Sequence, residues 1–127
     1  MSGQGAEAWG RILVVDDEAM LRQLLVEAVR EYGFMAQAAA GADAALAALA
    51  EHPFDVILSD LNMPGKSGLA LLVAMRAAGH RQPFIILSGG CSGEDRDTAL
   101  RLSAAAVLEK PLDIRSLVQE LHRHAPR

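Results

Sequence analysis

The sequence predicts an α/β fold: a doubly wound, five-stranded parallel sheet with helices on both faces. Three observations lead there. Short apolar runs recur along the chain, clearest at Ile12 to Val15, Phe54 to Leu58 (broken only by Asp55) and Phe84 to Leu87. They lack the strict polar alternation of half-exposed strands and read as strands buried on both faces. Between them lie stretches with apolar or small residues at helical spacing, so strand and helix alternate from end to end.

Taken in order, Arg11 to Val15 is a β-branched strand that runs into Asp16, Asp17 and Glu18. Three acids there also suit the start of a helix, where the dipole favours them. The helix that follows carries Leu21, Leu24, Leu25, Ala28, Val29 and Tyr32 as its expected core stripe, with Gly33 as the stop. Phe34 to Ala39 is a weaker strand, because alanine is a poor strand former. Ala42, Ala45, Leu46 and Leu49 mark a helix of small residues that closes near His52 and Pro53, and the strand ending at Asp60 comes next. Asn62, Met63, Pro64 and Gly65 form a turn by their chemistry, and Gly68 adds to the signal. A third helix is expected from about Ser67 to Gly79 with Leu71, Leu72 and Met75 inward. Pro83 to Leu87 is a fourth strand ending in Ser88, Gly89 and Gly90. Glu94 to Ser103 is a helix of poor amphipathicity and so lightly anchored. Ala105 to Glu109 is a fifth strand ending in Lys110 and Pro111, and Ile114, Leu117, Val118 and Leu121 stripe a last helix.

Composition bounds the function. At 127 residues the chain is one domain able to bury a core without staples. Residues 1–10 read as a flexible lead-in without signal-peptide features, 11–124 as the domain and 125–127 as a tail. A net charge of −4 argues against direct nucleic-acid binding. No apolar run approaches the ~18 residues of a membrane span. The one cysteine, Cys91, excludes an internal disulfide and zinc spacing, which fits a reducing, cytoplasmic setting.

In a parallel sheet all strand carboxyl ends share one edge, where open α/β sheets bind their ligands. That edge should collect Asp16, Asp17, Asp60, Ser88 and Lys110, residues far apart in sequence. Crowded carboxylates repel one another, and a hard divalent cation with few protein ligands, Mg²⁺, is the ordinary relief. A carboxylate so placed can attack a phosphoryl group, with Lys110 and Ser88 supplying charge and a hydroxyl around the transferred oxygens.

Asp16-Asp17, Asp60 followed by Met63-Pro64-Gly65, Ser88 and Lys110-Pro111 together resemble the receiver domain of two-component response regulators, over about residues 10–124. The resemblance implies a flavodoxin-like (βα)5 sheet in the order 2-1-3-4-5. It implies Asp60 as phosphoacceptor, and Asp17, Asp60 and the backbone carbonyl of Asn62 as direct Mg²⁺ ligands, with Asp16 acting largely through water. Lys110 would pair with the phosphoryl group, Ser88 would be the switch hydroxyl, Gly89 would keep access open, and the bond before Pro111 would be cis. One departure concerns output. Such domains usually carry an aromatic residue three positions before the lysine, and here Val107 is too short to swing between buried and exposed states. Rearrangement of the Gly90, Ser92 and Gly93 loop with the fourth helix is the expected substitute.

Taken singly, each site residue has a plainer explanation: a solvated helix start for the acids, a loop hydroxyl for Ser88, a surface charge for Lys110. Only the set favours chemistry. His52, His80, His122 and His124 read as surface residues with no shared ligand spacing, Cys91 as an inert loop thiol, and Trp9 as loosely packed or disordered. Arg101, Arg115 and Arg123 lie where the fourth helix, fifth strand and fifth helix could meet a second copy. The expected function is a stand-alone, single-domain phosphorylation switch that catalyses only its own phosphorylation and dephosphorylation, not an enzyme of metabolism. It is fed by a histidine kinase or histidine phosphotransfer protein and read by a downstream protein. The alternatives are a receiver module of a hybrid kinase or longer regulator, and a phosphorylation-independent interaction module. A phosphohydrolase would need an acid where Asn62 stands.

Overall fold

The computed structural model describes residues 10–90 and 93–125. The expectations for Trp9, Cys91, Ser92 and the lead-in lie outside the described residues. Strands β1 (Arg11–Val15), β2 (Met35–Ala39), β3 (Val56–Asp60), β4 (Phe84–Ser88) and β5 (Ala106–Glu109) alternate with helices α1 (Ala19–Glu31), α2 (Ala42–Glu51), α3 (Gly68–Ala77), α4 (Gly93–Arg101) and α5 (Ile114–His124). The five strands form one sheet in the order β2-β1-β3-β4-β5, and every pairing is parallel.

The period of two along each strand sorts the core into two layers. Leu13, Val15, Ile57, Phe84 and Ile86 point to the layer that holds Leu49, Leu71, Leu72, Met75 and Ala99 of α2, α3 and α4. Ile12, Val14, Val56, Leu58, Ile85 and Leu87 point to the other, with Leu25, Val26 and Val29 of α1 and Leu117, Val118 and Leu121 of α5. All five residues of β3 and of β4 are buried, whereas the outer strands β2 and β5 are mostly half-exposed. A buried Leu, Ile or Phe contributes about 1.5–3 kcal/mol, so the two central strands carry the greatest density of stabilisation.

The helices start and stop for local reasons. Ser67 caps α3, its Oγ accepting from Ala70 N at 3.2 Å, and Asp113 caps α5 through Arg115 N at 3.0 Å. Gly33, at φ 96°, ends α1 in the left-handed region that glycine tolerates. Two expectations for α1 fail. Leu24 and Tyr32 are exposed at 60% and 44%, and Val26 takes the inward position instead. The helix also begins beyond the acids: Glu18 is its N-cap without a side-chain bond, and no acid lies in its first turn. As the weak periodicity of α4 suggests, only Ala99 of that helix is buried.

Gly68 sits where the chain folds back over the end of β3. Its N–H donates to Leu61 O at 2.8 Å, and a Cβ there would land on the backbone carbonyl oxygen of Asp60 and the Cα of Leu61. Backbone cannot move aside as a side-chain tip can, so Gly68→Ala is expected to cost about 1–3 kcal/mol, read as a lowered thermal midpoint with unchanged far-ultraviolet dichroism below the transition.

Candidate functional site

The register builds the site. Val15 pairs with Ser59, so the residue after each, Asp16 and Asp60, falls level at the sheet edge. Asp60 pairs with Leu87, and Ser88 with Glu109, which brings Lys110 just past the same edge. Lys110 is held there by its own N–H, which donates to Ser88 O at 2.7 Å. The parallel sheet thus assembles five polar residues from four separate segments.

Asp16 and Asp60 are buried and Asp17 is exposed, and one carboxylate oxygen from each lies within 4.8 Å of the others. This is the one such grouping of potential metal ligands among the described residues. Lys110 Nζ donates to Asp60 Oδ1 at 3.3 Å, a loose contact for a charged pair. Asp16 Oδ1 accepts from Glu18 N at 2.9 Å, while its Oδ2 is buried without any partner. The Asp16 backbone carbonyl accepts from Arg22 Nη1 at 2.8 Å, which pins the loop. Burial pushes the Asp16 carboxyl above its ordinary range. The Glu18 amide opposes this, Asp60 adds to it, Lys110 opposes it and Asp17 adds again. Two like charges at that separation repel by roughly 3 kcal/mol at an effective dielectric of about 20.

The remaining expected residues are near but differently engaged. Ser88 is fully buried, and its Oγ accepts from Gly90 N at 3.1 Å. Gly89 is exposed, with open space where a Cβ would stand. Asn62 is exposed in the loop two residues past Asp60. Val107 is half-buried against the α2–α4 core layer, and the Lys110–Pro111 bond is cis, as the resemblance implies. The histidines stay out of the site, but not all are plain surface residues. His122 is half-buried with its ring 5.0 Å from that of Phe34, and His124 lies 3.5 Å from Glu120. Sequence reasoning passed over Arg96, whose Nη2 meets Glu109 Oε2 at 2.9 Å and ties α4 to the strand that leads into Lys110. It also passed over Arg22; an arginine six residues after a buried acid is a signal too common to single out.

The donor set suits a hard divalent cation: carboxylate oxygens only, clustered, with one buried oxygen unsatisfied. Without a cation Asp16 is a liability, and the sign follows from linkage. Its raised folded pKa means the folded state holds the proton more tightly, so stability falls as pH rises from about 3.8 through that raised value. Asp16→Asn keeps an Oδ1 for Glu18 N and removes the charge. In metal-free buffer at pH 7 it should raise stability, with the gain shrinking toward pH 4, as followed by denaturant melts across pH.

The response regulator receiver domain family model matches residues 12–122. The virulence sensor protein BvgS of Bordetella pertussis is 38% identical over 92% of this chain and 10% of its own length. The two-component response regulator PhoP of Pseudomonas aeruginosa is 33% identical over 88% of this chain and 50% of its own. The chain spans half or less of the length of these curated relatives. The chemotaxis protein CheY4 of Vibrio cholerae superimposes with a TM-score of 0.85 at 30% identity, covering 90% of this chain and 97% of that one. Receiver domains generally bind Mg²⁺ at an aspartate cluster, and they are signalling modules rather than enzymes of metabolism. The sheet order, the acidic edge and the family match agree: this chain belongs to the response regulator receiver domains of two-component signalling.

Proposed function

We propose that Asp60 accepts a phosphoryl group from a histidine kinase or histidine phosphotransfer protein, with Mg²⁺, and that the domain signals onward by protein contact. The observation that carries this reading is the setting of Asp60: buried, at a central strand's end, beside Lys110 Nζ and two further carboxylates. In the transfer, an Asp60 oxygen bonds to phosphorus as the P–N bond to the donor imidazole breaks. The electron pair leaves with the ring nitrogen. Lys110 follows the phosphoryl oxygens, and the Ser88 hydroxyl turns its proton toward them while Gly89 leaves room for the approach. Asp17, Asp60 and the Asn62 carbonyl would hold Mg²⁺ directly and Asp16 through water. Bound there, the ion supplies positive charge that offsets the crowded acids and the charge on the transferred group.

With Val107 unable to act as an aromatic switch, the output runs through the loop after Ser88 and through α4. Leu100, 56% exposed on α4, gives the α4–β5–α5 face an apolar point for a partner or a second copy. Of the arginines expected to pair between copies, Arg123 already meets Glu120 at 3.3 Å and Arg101 meets Thr98 Oγ1 at 3.2 Å within the chain. A second reading, favoured by the match to 10% of BvgS, places the same chemistry inside a longer sensor protein that passes the phosphoryl group along its own chain. In both, the setting is the cytoplasm.

Incubation with a phosphorylated histidine phosphotransfer protein and Mg²⁺ should add one phosphoryl group to the intact mass. Asp60→Asn should show none, and chelation should slow transfer by orders of magnitude. Labelling of Asp60→Asn at an equal rate would move the acceptor elsewhere. Light scattering with Mg²⁺ and beryllofluoride should double the mass of wild type and leave Asp60→Asn monomeric if the α4–β5–α5 face pairs with itself. An unchanged mass with the mimic bound assigns the output to a different protein.

A further inference from the structure

At the opposite end of the sheet, where β4 and β5 begin, a hollow of about 490 Å³ opens between the ends of α3 and α4. Arg76, Arg81 and Arg101 line it over an apolar floor of Pro83 and Leu102. Arg76 is fixed: its Nη1 donates to His80 O and Gln82 O, both at 3.0 Å, and its Nη2 to Ser103 O at 3.3 Å. All three acceptors are neutral. Arg101 Nη2 meets only a hydroxyl, Thr98 Oγ1 at 3.2 Å, and among the described residues none of the three guanidiniums has a carboxylate partner. His124 also reaches the hollow, and Glu120 lies 3.5 Å from it in the same helix.

The clustering acts on Arg76. Burial holds the Arg76 guanidinium below its usual range, and the charge of Arg81 pushes in the same direction. The helix dipole accounts for basic residues in the last turns of α3 and α4, where Arg76 and Arg101 lie. It does not account for Arg81, which is in the α3–β4 connection. The chain carries a net charge of −4, yet among the described residues no acid lines the hollow itself. Like charges gather around a concavity here as they do at the acidic edge, but where Lys110 meets Asp60 there, no carboxylate among the described residues pairs with these guanidiniums.

We propose that this hollow binds a small phosphorylated ligand, its phosphoryl oxygens held between Arg81 and Arg101 beside the fixed Arg76. Guanidinium forks match phosphoryl oxygens two at a time, which a lysine cluster would not do. The volume lies within the range of small-molecule sites, and the Pro83–Leu102 floor offers an apolar surface to an organic body. The site is independent of the phosphoacceptor chemistry at the other end of the sheet. An anion there would bridge the α3–β4 connection to the end of α4.

The test is an NMR titration of the metal-free protein with inorganic pyrophosphate and, separately, with ADP. Arg81→Ala/Arg101→Ala is the disabling variant, since both side chains are exposed, and Asp60→Asn is the control. Saturable shifts centred on residues 76–83 and 101–105, retained in Asp60→Asn, are expected. The double variant should weaken binding at least tenfold. Tighter ADP binding would assign the site to an organic phosphate, and equal binding to free oligophosphate. No saturable shift, shifts centred elsewhere, or equal affinity in the double variant would overturn the proposal.

Discussion

The parallel register of β1, β3 and β4 is the constraint on which everything else rests. Because Val15 pairs with Ser59, and Asp60 with Leu87, the two buried acids emerge level and the serine one residue further along the same edge. A slip of one residue would turn Leu58 and Ile57 to the opposite layers and withdraw Asp60 from Asp16 in the same step. Stability and function are therefore specified by one set of contacts. The fully buried central strands supply the cohesion, and their ends inherit its precision.

That precision holds together groups that would otherwise separate. Asp16 is buried with one oxygen unpartnered, and its neighbours include two further acids. The Lys110 contact at 3.3 Å offsets only part of this. Such a site suits a cation, and what the fold gives up in metal-free stability would appear as affinity for an ion bound there.

Much of this was legible in the residues alone. The apolar runs at 12–15 and 84–87 became central strands, and the order of polar residues at their ends located the acidic edge. What the sequence left hidden has specific physical causes. Helical spacing marks which positions share a face but not how wide a face is buried, so Leu24 and Tyr32 joined the expected stripe of α1 although both stand in solvent. The acids before α1 suited a helix start, but the strand end claims Asp16 first and the helix begins only at Ala19. Arg76 shows the other limit: its three carbonyl partners belong to loops whose course no periodicity describes. The close approach at Gly68 was visible only as part of a turn, since the atoms it makes room for lie seven and eight residues earlier in the chain.

The shallow seating of α4 has a further consequence. Ala99 is its one buried residue and an exposed Arg96–Glu109 pair ties it to β5, so most of its outer side chains meet water rather than core. Substitutions on that outer surface leave the sheet intact. That surface can therefore change one residue at a time while the acidic edge stays as it is. In a lineage of such domains, the outside of this helix is free to diverge without any need to learn to fold again.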